Sequence, residues 1–256
     1  MDVATAGDAL PAFIAALAIT AFAGFVKGTV GFAMPMIMMS ALSSFLPPEE
    51  ALAALILPTL VTNLSQSLRQ GVHAAVDTAR TYRRFLIAVV VFIALSAPFV
   101  TLLPRTVFLL LLGGPITIYA LIQLAGKTLV IRVDHRRRAE WGLGVIGGIY
   151  GGISGIWGPP LLVYLLSIGV GKVEIIRAQG VVFLVGSVAL LLAHLGTGIA
   201  DAEALAFSAI LACPALIGLY LGYVVQDRLD QQRFRRWTQG LLVLTGLNLI
   251  RQALGL

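Results

Sequence analysis

The chain has 256 residues, of which 59% are hydrophobic and 12% charged. Soluble domains carry about 25% charged residues, so this composition excludes a soluble globular enzyme and describes an integral membrane protein with apolar runs long enough to span. The formal net charge of +6 sits in clusters between apolar blocks, the mark of cytoplasmic loops rather than of a nucleic-acid-binding face. A single cysteine, Cys213, excludes an internal disulfide framework.

In chain order, MDVATAGDAL carries no basic residue before the first apolar block, so it does not read as a cleaved signal peptide. Residues 11–46 are apolar, with a break expected near Lys27–Gly31. Pro47-Pro48-Glu49-Glu50 starts a helix to about 69, proline suiting the first turn and the acids its dipole. Residues 70–84 are polar, and spans follow at about 85–103 and 106–126. The stretch 127–140, with Arg136, Arg137 and Arg138, is the expected joint between two halves. The second half runs through 141–170, then spans at about 174–194, 204–226 and 237–254. Residues 195–203 read as a polar loop and 227–236 as a basic one.

Two stretches organise this plan. Gly142 to Pro160 reads GLGVIGGIYGGISGIWGPP, and Gly24 to Pro35, GFVKGTVGFAMP, is a looser copy. Gly24 aligns with Gly147 and Gly28 with Gly151; after a one-residue gap, Gly31 aligns with Gly155 and Pro35 with Pro159. A helix interrupted in lipid needs a protein-lined or wet cavity to satisfy its backbone.

Charge sets the topology. Loops 69–84, 127–140 and 227–236 hold four, five and four Lys/Arg, 13 of the 18, and belong on the cytoplasmic face. They reach one face only if segments 11–46 and 141–170 each return to the side they came from. Each has about 30–36 residues, enough for two helices of about 15–18. The expected fold is therefore an all-α integral membrane protein of two inverted repeats, 1–126 and 141–256. Each is a broken or re-entrant helical hairpin followed by three transmembrane helices, with both termini outside.

A helix restarting near Gly31 or Gly158 offers unpaired N–H groups and a dipole that favour an anion. The glycine ridges Gly144, Gly148, Gly152 and Gly147, Gly151, Gly155 either open the backbone to a ligand or simply let helices pack. Lys27 either holds an anion or snorkels to the membrane surface, and the second copy has Tyr150 in its place. Candidate substrate-binding residues are Lys27, Gly28, Thr29 and Gly31 at the first break and Ser154, Gly155, Trp157 and Gly158 at the second, with Asn63, Gln66, Arg177 and Gln179 on neighbouring helices. Trp141 and Trp237 read as interfacial anchors. No acidic residue falls mid-span, no His/Cys/Asp/Glu set has metal spacing, and no phosphate-binding glycine loop is present. No catalytic residue, metal or cofactor is expected.

These motifs make the chain resemble the TauE/SafE family of sulfite exporters, also called four-toluene sulfonate uptake permeases. The resemblance runs over nearly the whole length and rests on GFVKGTVGFAMPMIMM at 24–39 and GGIYGGISGIWGPPLLVY at 147–164. The chain departs from the family's usual Gly-Gly-Gly before the proline: Phe32-Ala33-Met34 and Ile156-Trp157-Gly158 make the site bulkier. The resemblance implies a secondary transporter in a bacterial inner membrane that exports sulfite or organosulfonates such as sulfoacetate. A passive anion channel, or a permease for another small organic anion, is the alternative. The implied partners are a small anion and the lipid bilayer, with no nucleic acid. A homodimer and coupling to a proton, one that a weak-acid substrate could carry itself, stay open.

Overall fold

Glycine and proline set the two helix breaks of this protein. The computed structural model describes residues 3–127, 129–133, 135–226 and 231–256, without the side chains of 3–9, 172, 231, 232, 234 and 235. The expectations for residues 1–2, for 128 and 134 in the central joint, and for 227–230 in the last basic loop lie outside the described residues.

The helices are α1 (Val3–Val30), α2 (Met34–Leu42), α3 (Pro48–Leu68), α4 (Val72–Thr81), α5 (Arg83–Ser96), α6 (Arg105–Leu124), α7 (Arg136–Ser154), α8 (Gly158–Ser167), α9 (Lys172–Thr197), α10 (Ala202–Gln226) and α11 (Gln231–Ala253). A 3-10 turn, Ala97–Leu102, extends α5 where Pro98 removes a backbone donor. No strand occurs among the described residues. Among the described residues six segments, in α1, α3, α5 with its extension, α6, α9 and α10, are long and apolar enough to cross a membrane. The protein is an all-α, multi-pass membrane protein.

Four details differ from the sequence reading. Lys27 lies in the last turn of α1, and the break falls at Gly31–Ala33, so the next helix starts at Met34 rather than near Gly31. The hairpin arms are unequal: α1 and α7 have 28 and 19 residues, α2 and α8 only 9 and 10. The return arms thus span about 14–15 Å, half a bilayer core. Residues 70–84 are not simply a loop, because they contain α4, whose Val72, Ala75, Val76 and Ala79 recur at helical spacing. Helix α9 continues to Thr197, so the expected loop at 195–203 shrinks to 198–201.

The long helices pair in a reciprocal pattern: α1 lies along α10, α7 along α5, α6 along α11, and α3 along both α9 and α10. Small residues make the first three seams. A Cβ on Gly28 would lie 2.9 Å from the Gly222 Cα, and one on Gly218 2.8 Å from the Phe25 nitrogen. Gly144 and Gly148 meet Ala88 and Phe92 of α5, and Gly113 meets the Gly246 carbonyl of α11. These are close approaches, to a neighbouring backbone or to a Cβ on it, that only glycine allows. The short arms fill the middle. Met34, Met36, Met38, Met39 and Leu42 of α2 are buried in one apolar cluster, and Leu161, Tyr164 and Leu165 of α8 in another.

One repair places α3. Pro58 lacks the N–H that would satisfy the Ala54 carbonyl one turn back. Ser208 of α10 donates to that carbonyl at 3.0 Å and accepts from the Leu57 N–H at 3.0 Å. The gap that Pro58 leaves in the helix's own hydrogen bonding is thereby filled from outside the helix, next to the residues described below.

Candidate functional site

The two breaks are built by the same local chemistry. Gly31 (φ +87°) and Gly155 (φ +69°) adopt the left-handed conformation, and each donates its N–H at 2.7 Å to the residue four before it, Lys27 and Gly151. This is an αL helix stop, for which glycine carries no Cβ penalty. A proline in the first turn then restarts each helix, Pro35 in α2 and Pro159 in α8. Neither new N-terminus has a side-chain cap, so its first N–H groups keep their free donor character. Ala33 is also left-handed, with φ +81°; a non-glycine residue there is strained by about 1–2 kcal/mol.

The tips come from opposite ends of α3. Gly31 sits by Gln66, two residues before α3 ends, where Gln66 Nε2 donates to the Gly31 carbonyl at 3.1 Å and to the Ile176 carbonyl at 3.3 Å. Gly155 lies against Leu55 and Leu52, near the start of α3. Between them, at the level of Thr59 and Asn63, is a cavity of about 20 Å³. Its lining is Lys27, Phe32, Ala33, Pro35 and Met36 from the first break, Gly155, Ile156, Trp157 and Gly158 from the second, and Thr59, Asn63 and Phe183 from α3 and α9.

Lys27 is the ionisable side chain in the lining of this site. It is 1% exposed, so it does not snorkel to the surface. Its Nζ donates to Thr62 Oγ1 at 2.8 Å and to Asn63 Oδ1. Asn63 is held in turn by its Nδ2, which donates to the Phe183 carbonyl at 2.9 Å and to Ser187 Oγ at 3.5 Å. Among the described residues Lys27 forms no ion pair; the salt bridges there are Arg80–Asp77 and Arg84–Glu140, on other elements. An ammonium held by neutral groups in a low-dielectric pocket lacks the anion that would offset its desolvation.

The remaining candidates separate into those at the cavity and those away from it. Trp157 is a cavity wall, edge-on to Phe183 at 6.2 Å between ring centroids. Its ring fits because Gly151 and Gly186 have no side chain: a Cβ on either would lie 2.7 or 2.9 Å from it. Ser154 caps the break from inside, donating to the Tyr150 carbonyl at 2.5 Å and accepting from the Ile156 N–H at 3.0 Å. Gly28 faces α10 instead of the cavity. Thr29 Oγ1 turns back to the Val26 carbonyl at 2.7 Å. Gln66 and Gln179 flank Gly31. Arg177 is half-buried beyond them and donates to Gln70 Oε1 at 3.4 Å. The ridge Gly144, Gly148, Gly152 packs on α5.

Thr59, Thr62, Phe183 and Ser187 take part here although the sequence reading did not select them. Thr59, Thr62, Asn63 and Gln66 recur at three- and four-residue spacing in an apolar helix, a stripe that periodicity alone picks out. Phe183 and Ser187 carry no such signal, because their role depends on how α9 meets α3.

A family model described as sulfite exporter TauE/SafE matches residues 16–249, a range that takes in both breaks and every residue lining the cavity. Comparison with curated proteins and with solved structures finds no match. With nearly the whole chain matched, from within α1 to within α11, the protein belongs to the TauE/SafE family of membrane exporters of sulfite and related anions.

Proposed function

We propose that this protein is a secondary transporter that exports small sulfur oxyanions, sulfite or organosulfonates such as sulfoacetate, and binds them between its two helix breaks. The observation that carries this reading is Lys27: a buried lysine without an acidic partner among the described residues, facing a cavity that both breaks close. The uncapped starts of α2 and α8 add dipoles of the same sign. A cavity of about 20 Å³ holds a water-sized occupant, so loading a sulfonate requires the breaks to part. That requirement suits alternating access better than a standing pore.

The halves 1–126 and 141–256 are read as an inverted repeat joined by 127–140, with the substrate near the midplane. Reciprocal packing supports this. If α1, α2, α3, α5 and α6 correspond to α7, α8, α9, α10 and α11, then α1 on α10 is the counterpart of α7 on α5, while the α3–α9 and α6–α11 contacts each join an element to its own counterpart. With the basic loops cytoplasmic, both termini lie outside, across a bacterial inner membrane. A proton carried by a weak-acid substrate would couple export without a mid-span carboxylate.

The test is flux. Purified protein in liposomes loaded with sulfite, sulfoacetate or chloride should release the sulfur anions faster than empty liposomes do, and a proton gradient should drive accumulation. Equal rates for all three with no uphill movement would replace the transporter by a passive channel. No flux of any of them would remove the reading.

A further inference from the structure

Most buried hydroxyls in these helices are satisfied by their own backbone. Thr29 Oγ1 donates to the Val26 carbonyl at 2.7 Å, Thr62 Oγ1 to that of Pro58 at 2.7 Å, Thr117 Oγ1 to that of Gly113 at 2.7 Å and Ser187 Oγ to that of Leu184 at 2.9 Å. Thr59 differs. It is 1% exposed, its Oγ1 has no hydrogen-bond partner, and it lines the cavity with Lys27 and Asn63. An unpaired buried hydroxyl destabilises the fold, so its persistence beside a functional cation calls for a partner that arrives from the cavity.

The position suits an anion. Thr59 and Asn63 are four residues apart on α3 and so share a helix face. Asn63 Oδ1 and Thr62 Oγ1 fix the Lys27 ammonium at the next turn. A free O–H donor and an ammonium therefore border one small space, and neither is occupied by a carboxylate. Resting on the anion-transport reading above, we infer that Thr59 is a second ligand of the transported anion: its hydroxyl donates to one oxygen while Lys27 holds another. A two-point grip of this kind selects anions whose acceptor oxygens diverge from a central atom.

Valine in place of Thr59 keeps the branched shape and removes only the hydroxyl. Sulfite flux in proteoliposomes is measured as initial rate against concentration for the full-length wild type, Thr59→Val, Thr59→Ser and Lys27→Ala, with melting temperature in detergent as a second readout. A hydrogen bond to a charged group corresponds to about a ten- to hundredfold effect. The Thr59→Val KM should therefore rise by that factor with a smaller change in kcat, and Thr59→Ser should return it to within about threefold. The valine variant should melt no lower than wild type, because an unpaired polar atom has gone. Thr59→Val with wild-type KM, alongside a Lys27→Ala that has lost flux, overturns the role of Thr59 alone and leaves the anion reading standing; the hydroxyl then serves a water. A raised KM with a lower melting temperature and no recovery in serine also overturns it, as a packing effect. Wild type without sulfite flux overturns the transport reading and this inference with it.

Discussion

Replacing Lys27 by methionine is the most direct perturbation of the site. The variant keeps an unbranched apolar stem in the pocket and removes the ammonium. Two unit charges about 4 Å apart at an effective dielectric of about 20 attract by about 4 kcal/mol, or about a thousandfold in affinity. Stability should move far less. Thr62 Oγ1 keeps its bond to the Pro58 carbonyl at 2.7 Å and Asn63 Nδ2 its bond to the Phe183 carbonyl at 2.9 Å. Only the Asn63 Oδ1 acceptor is orphaned, at a cost of about 1–3 kcal/mol, against relief of an ammonium buried without an ion pair. The assay is initial sulfite flux from proteoliposomes over a concentration series, with protein recovery and melting temperature as controls. Sulfite KM should rise by two to three orders of magnitude or pass beyond measurable range, and Lys27→Arg should recover part of the loss by restoring charge with a different donor geometry. A well-folded Lys27→Met protein with KM within about threefold of wild type would refute the argument, because the Coulomb estimate leaves no room for so small an effect.

Further outcomes follow from the packing. Gly28→Leu or Gly218→Leu should prevent recovery of folded protein, since a Cβ at either meets backbone across the α1–α10 seam, whereas Gly142→Leu, with open space around it, should melt within about 2 °C of wild type. Ser208→Ala should lower stability by about 1–2 kcal/mol by leaving the Ala54 carbonyl unpaired, and Pro58→Ala in that background should restore most of it by resupplying the N–H; thermal melting of the four proteins tests the coupling. In a Cys213→Ala background, a cysteine at Glu203 should react with a membrane-impermeant thiol reagent from outside whole cells, and one at Asp77 only after the cells are opened; the reverse pattern would invert the proposed orientation.

How much of this was legible depends on whether the cause is local. The breaks near Gly31 and Gly155 and the restart near Gly158 show in the sequence because φ > 0 and a missing N–H are properties of the residue itself, whereas the first restart falls at Met34, later than the reading near Gly31. The shortness of α2 does not show. Residues 34–42 are apolar or small throughout, and the helix gives way at Ser43–Ser44 with Ser40 and Ser44 bound by Asn248 and Gln252 of α11. Gly28 and Gly31 look alike in the chain, yet one packs on α10 and the other caps α1, a distinction that requires knowing what lies opposite. The inward position of Lys27 likewise depends on Thr62 and Asn63, which α3 delivers to it. The helix at 72–81 was missed for another reason: its apolar face is narrow enough to read as polar loop.

The exchange of partners among the long helices has a consequence for biosynthesis. Helix α1 leaves the ribosome well before α10, residues 202–226, whose surface accepts Gly24 and Gly28. Until most of the chain has been translated, that glycine face has only lipid or a helper protein to lie against. Insertion and final assembly are therefore separate stages here, and a fragment ending at the middle linker should enter the bilayer yet remain exposed to quality-control proteolysis.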